Sequence, residues 1–208
     1  MSRSERTLSG LSLPDRLYLL ARRRGSDFAL VLRAAALTDL LQRGLVEDRD
    51  GCPAPTGAAA PASLDPYLAR VLESLADSRG RSWRRWVGRA RGRESRTVRD
   101  ALAERGVIEL EERRFLGLIP YLSPTPADES VVEALRAQAA ATLEGSSEEA
   151  GALLALAAAG DVRSILPGRE RRAHKARLAE LTAAAGPAVP ALRAALRSRR
   201  AARASSGG

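Results

Sequence analysis

The run AGALLALAAAG at 150–160 constrains the fold more than any other feature of the chain. Its leucines and alanines must leave water, yet the run falls well short of the roughly 20 apolar residues that span a bilayer. A segment of this kind belongs in a packed helical core. The composition agrees: 45% of residues are hydrophobic but only 3% aromatic, so the core has to be built from Leu, Ala and Val. That favours packed helices over a large sandwich and makes an all-β enzyme a poor fit. A length of 208 residues suits one compact domain.

Periodicity supplies the other elements. Ser12 can cap a helix over 11–24, with Pro14 in its first turn and Leu17, Leu20 and Ala21 at helical spacing. A second helix opens near Ser26 or Asp27, carries Leu30, Ala34, Leu37 and Leu41, and stops at Gly44. The run LVED, the turn RDG and CPAP then read as a small hairpin leading into a mobile loop at 53–62. Residues 65–78 form an amphipathic helix, and the arginine stretch that follows is broken by Gly80, Gly88 and Gly92. Ser95 can cap a helix that ends at Gly106, and VIEL and FLGLI form a second hairpin. Both helix–hairpin units turn at Arg-Gly, Arg43-Gly44 and Arg105-Gly106. Helices over 130–143 and 147–159 follow, the latter apolar enough to be the centre of the core. Two basic amphipathic segments around 171–184 and 190–203 close the chain. The expected architecture is mainly α: a single globular domain over 11–200, with a central apolar bundle, surrounding amphipathic helices and short hairpins. A flexible stretch at 1–10 and a disordered tail at 201–208 flank it.

Charge is unevenly placed. The net formal charge is +9, but residues 1–78 are neutral, 79–99 carry +8, 100–162 carry −8 and 163–208 carry +9. The predominance of arginine, 33 against the single Lys175, is something a GC-rich genome could produce unselected. The segregation of acids from bases is not explained that way. It points to a polarised surface that attracts an anionic partner, lipid or nucleic acid. The N-terminal sequence lacks the apolar core of a secretion signal, so the expected location is cytoplasmic, with peripheral attachment to the cytosolic face of a membrane.

Little material for catalysis is present. One cysteine, Cys52, and one histidine, His174, exclude clustered His/Cys metal sites and His-based triads. No phosphate loop joins a strand to a helix, and the pairs Glu111/Glu112 and Glu148/Glu149 suit solvated turns and helix starts. The expectation is a non-enzyme with no metal and no cofactor. Arg96 and Arg99 stand out, because cations in the first turn of a helix oppose its dipole, and a bound anion would relieve that conflict. A solvated arginine turn is the plainer alternative. Trp83 and Trp86, spaced i and i+3 among arginines, suit core packing by default. Phe115, Leu116, Leu118 and Ile119 form either a buried strand or an apolar loop that enters a membrane or a neighbouring subunit.

Three segments, LSLPDRLYLLARRRG, LRAAALTDLLQRGLVED and RTVRDALAERGVIELEERRFLGLIP, resemble the Golgi phosphoprotein 3 family in order and character, and LLALAAAGDV looks like its late core helix. That family comprises helical adaptors that bind phosphatidylinositol 4-phosphate. The resemblance implies that Arg33, Arg96 and Arg99 hold the headgroup phosphate. It also implies that the hairpin at Phe115, Leu116, Leu118 and Ile119 contacts the membrane or a second copy of the chain. Where the family places a tryptophan near the pocket, this sequence offers only Phe28. The implied partners are an anionic phospholipid membrane with a phosphoinositide headgroup, and a homo-oligomer through the hairpin. A winged-helix-like nucleic-acid-binding regulator is the alternative. It is disfavoured by Asp100 and Glu104 on the helix that would enter the groove.

Overall fold

A computed structural model of the chain describes residues 3–21, 25–77, 80–115 and 119–205. In order the elements are α1 (Arg3–Gly10), α2 (Leu13–Leu20), α3 (Phe28–Gln42), β1 (Val46–Arg49), β2 (Cys52–Pro55), α4 (Pro66–Ala76), α5 (Trp83–Gly88) and α6 (Arg93–Glu104). They continue with β3 (Ile108–Phe115), β4 (Ile119–Pro126), α7 (Glu129–Leu143), α8 (Gly151–Ala159), α9 (Gly168–Ala173), α10 (Lys175–Ala184) and α11 (Ala188–Ser205). The strands pair only as two antiparallel hairpins, β1–β2 and β3–β4. The mainly α single domain expected from the sequence is the one observed.

The centre of the core is α3. Its sequence FALVLRAAALTDLLQ has no polar face, and thirteen of its fifteen residues are buried. A helix apolar on all sides has to be surrounded, and α2, α4, α5, α6, α8 and α11 pack on it. The run at 150–160, expected to be the centre, becomes α8, a shorter helix that forms one wall against α3. Of the buried polar residues of α3, Arg33 and Asp39 find specific partners, as burial requires, whereas the Thr38 hydroxyl has none among the described residues. Asp39 accepts the Leu13 backbone N–H at 2.6 Å, which fixes the start of α2, and also pairs with Arg43 one turn along.

Local signals explain the helix ends. Ser12 accepts the Asp15 N–H while the Asp15 carboxylate accepts the Ser12 N–H, a reciprocal capping box. Asp65 caps α4 by accepting the Tyr67 and Leu68 N–H groups. The Arg-Gly ends share one geometry. Gly44 and Gly106 have φ of 69° and 66°. Leu45 and Val107 donate back to Leu40 and Leu102, while Gly44 and Gly106 donate to Leu41 and Ala103. This is the left-handed C-terminal motif that glycine adopts without a Cβ penalty.

Several boundaries differ from expectation. Residues 3–10 form α1 because Leu8 packs against the core and its carbonyl accepts from the Leu11 N–H and the Arg16 guanidinium. The first predicted helix stops at Leu20, and residues 22–24 lie outside the described residues. At the other end α11 continues to Ser205, where Arg203 pairs with Asp27 at 2.9 Å and ties residues assigned to the tail back to the domain. Ser95 does not cap α6. The helix begins at Arg93 with Gly92 at the cap, so Ser95 lies inside its first turn.

Candidate anion-binding site

Arg33 comes from the most buried helix and is only 9% exposed. Its Nη2 donates to Glu94 Oε1 at 2.5 Å, and Glu94 is itself buried in the first turn of α6. A charge at this depth is tolerable only when paired, and the two helices supply the pair to each other. Tyr67 of α4 completes the cluster. Burial is the largest influence on Arg33 and opposes its charge, but Tyr67 and Glu94 outweigh it and keep the guanidinium above its ordinary value. Burial, then the Glu94 charge, pushes the Tyr67 hydroxyl well above its usual range, with Arg33 pulling the other way. Among the described residues, Arg33 Nε and the Tyr67 hydroxyl have no hydrogen-bond partner.

The structure thus brings Arg33 to the first turn of α6, with a carboxylate rather than an open cradle between them. Arg99, further along α6, directs its guanidinium to the neighbouring Asp100 at 2.7 Å. Arg96 is exposed and has no ion-pair partner among the described residues. Of the three expected phosphate ligands, only Arg96 presents an uncommitted charge to solvent. Phe28, the expected headgroup aromatic, is 4% exposed and belongs to the core. In the hairpin, Phe115 ends β3 and Ile119 begins β4 in paired register. Leu116 and Leu118 lie outside the described residues.

Folding does bring the two basic blocks of the sequence together. In α5, WRRWVG, Trp83 and Trp86 are 4% and 2% exposed. The Trp83 indole N–H donates to Asp48 at 2.8 Å. With both tryptophans turned inward at i and i+3, Arg84 and Arg85 between them must turn outward. The wall facing them is α11. Arg84 donates to the Ser198 hydroxyl at 3.3 Å, and Arg199 donates to the Ala90 carbonyl at 3.1 Å. Arg199 and Arg203 also grip Asp27 in front of α3. Between α5 and α11 lies an open cavity of about 570 Å³ walled by Arg81, Arg84, Arg85, Arg89 and Arg199, with Leu30 also in its lining. Among the described residues no carboxylate lies within ion-pair distance of Arg84, Arg85 or Arg89. The chain can place several guanidinium forks around a single bound anion here.

The sequence counted these arginines but did not bring them together. The signal was the Trp-x-x-Trp spacing, which fixes the side of α5 that faces out. His174 sits half-buried at the junction of α9 and α10, and Cys52 half-buried on β2. Among the described residues, no group of three or more His, Cys, Asp or Glu side chains is placed to hold a metal ion. No helix of those residues is long and apolar enough to cross a membrane.

The fold and this face define a helical domain with two helix–glycine–hairpin units and one arginine-rich side. The chain belongs to the Golgi phosphoprotein 3 (GPP34) family, whose model matches residues 13–199, from the start of α2 into α11. No curated protein matches the chain at a significant level.

Proposed function

We propose that the protein attaches peripherally to anionic membranes and binds phosphorylated headgroups of the phosphatidylinositol 4-phosphate kind through arginine side chains, acting by binding rather than by catalysis. The observation that carries this function is the apposition of the two basic blocks along α5 and α11. Arg84, Arg85, Arg89, Arg91, Arg93 and Arg96 are exposed on the first block, and Arg197 and Arg200 on the second. Each basic residue held near an anionic leaflet contributes about 1 kcal/mol, so a few of them give firm but reversible attachment. Family membership supports the same function. Arg96 is the family-implied ligand that fits it directly, while the Arg33–Glu94 pair holds α6 in place behind it. The hairpin from Phe115 to Ile119 is proposed as the apolar contact with the bilayer or with a second copy.

Flotation with vesicles tests this directly. The protein should float with phosphatidylcholine vesicles containing phosphatidylserine or phosphatidylinositol 4-phosphate, remain behind with phosphatidylcholine alone, and release as salt shortens the screening length. Replacing Arg85, Arg89, Arg197 and Arg200 with Ala should abolish flotation without unfolding the chain. Retention of duplex DNA in the same buffer, with no flotation on any vesicle, would overturn the membrane function in favour of nucleic acid.

A further inference from the structure

The cavity between α5 and α11 holds more positive charge than one phosphate can balance. Five arginines wall it, and one of them, Arg199, lies 3.5 Å from Asp27. A phosphate monoester carries about −1.5 to −2 near neutral pH and is satisfied by one or two guanidinium forks. Three arginines of α5 and its C-terminal cap, Arg84, Arg85 and Arg89, have no carboxylate partner among the described residues. They fall into two groups. Arg85 and Arg89 are one helical turn apart, whereas Arg84 leans towards α11, where it meets Ser198. The space is also large for one phosphate, equivalent to about twenty waters at roughly 30 Å³ each. Gly88 puts no side chain into the space, and nothing lies within 4 Å of the Cβ it lacks. Both tryptophans of α5 are buried beneath the arginines, so the cavity has no exposed ring on which a nucleic-acid base could stack.

We propose that this cavity is a site for a small anion carrying at least two phosphate groups, one held from the Arg85–Arg89 side and one between Arg84 and the α11 wall. It rests on the anionic-surface function above and names a ligand class for it, either a polyphosphorylated inositol headgroup or a free polyphosphate of the same chemistry.

Calorimetric titration of the full chain at about 0.15 M salt with inositol 1,4,5-trisphosphate, pyrophosphate and inositol 1-phosphate tests the proposal. The first two should bind at least about tenfold more tightly than the monophosphate. Gly88→Glu places a carboxylate in open space inside the cavity, and Ser198→Asp places one on the facing wall. Each should weaken trisphosphate binding about tenfold or more. Ala179→Glu makes the same change in net charge on an exposed turn of α10, which does not line the cavity, and should leave binding nearly unchanged. Equal affinities for the mono- and polyphosphates, or equal losses in Gly88→Glu and Ala179→Glu, would overturn the site in favour of diffuse attraction. Thermal melts of each variant separate lost binding from lost fold. Flotation of Gly88→Glu on phosphatidylserine vesicles distinguishes the two levels. Retained flotation with lost trisphosphate binding supports the cavity as a distinct site. Absence of wild-type flotation alongside tight trisphosphate binding rejects the membrane function and leaves the cavity standing. Finally, vesicles containing a bisphosphorylated inositol lipid separate the two sources. Competition by free trisphosphate identifies the headgroup, and binding of trisphosphate without competition identifies the free anion, either result being in favour of the site.

Discussion

The two helix–glycine–hairpin units, α3 with β1–β2 and α6 with β3–β4, end their helices with the same pattern of backbone hydrogen bonds and the same glycine conformation, yet they lie in opposite environments. One is the buried axis of the domain and the other a surface helix that buries only Glu94, Val98, Ala101 and Leu102. Local sequence therefore sets where a helix stops, and the distribution of apolar residues around it sets where it goes. The arginines follow this division. Arg33 on the buried helix requires Glu94 from α6, whereas Arg96 on the surface helix needs no protein partner. At the shared Arg-Gly ends, Arg43 pairs within its own helix, but Arg105 reaches Asp15 at 2.8 Å and Asp65 at 3.4 Å, joining α6 to α2 and α4.

Breaking the link between the units should have the largest effect. Glu94→Ala leaves the Arg33 charge buried and unpaired, and should cost about 3–5 kcal/mol of stability in urea denaturation. The double change Arg33→Met and Glu94→Leu should recover most of that loss. Next come the shared helix ends. Gly44→Ala and Gly106→Ala force a Cβ into a left-handed position and should each cost about 1–2 kcal/mol. Similar losses would show that the motif acts independently of burial, and a much larger loss at Gly44 would show that the core amplifies it.

Asp65 sharpens the contrast at Arg105. Burial first, and then the Asp15 charge, hold its carboxyl above the usual carboxylate range, against the backbone N–H groups and Arg105 that pull it down. Its proton is thus bound more tightly in the folded than in the unfolded chain. The stability it contributes is present at low pH and is lost as pH rises through the unfolded value to the folded one. Asp65→Asn keeps the cap acceptor and removes this titration. Its stability relative to wild type should therefore rise as pH increases above about 4, whereas Asp65→Ala should lose about 1 kcal/mol for the missing cap. The smallest effect belongs to Arg96→Ala. It should change stability by less than about 0.5 kcal/mol while weakening vesicle attachment about fivefold, the equivalent of one basic residue at a charged leaflet.

Much of the fold was legible because it is written in short-range chemistry. Ser12 with Asp15, Asp65 before Pro66, and the two Arg-Gly ends each carry their instruction within a few residues. The choice of α3 rather than α8 as the axis was less accessible. Arg33, Thr38 and Asp39 make α3 look less apolar than α8, and only the partners of Arg33 and Asp39, contributed by other elements, make their burial affordable. The candidate site was legible in its charge and not in its assembly. Two basic blocks were visible in the sequence, but their contact depends on Arg84 meeting Ser198 and Arg199 meeting Ala90 across more than a hundred residues. Arg33 and Arg99 were expected to face an anion, and their acidic neighbours Glu94 and Asp100 come within reach only through side-chain geometry.

Trp83 and Trp86 are the only tryptophans in the chain, and both lie directly beneath the arginine wall of α5. Their ultraviolet emission comes wholly from that one short helix, so the molecule carries an intrinsic optical gauge at the place where an anion would settle, with no added dye.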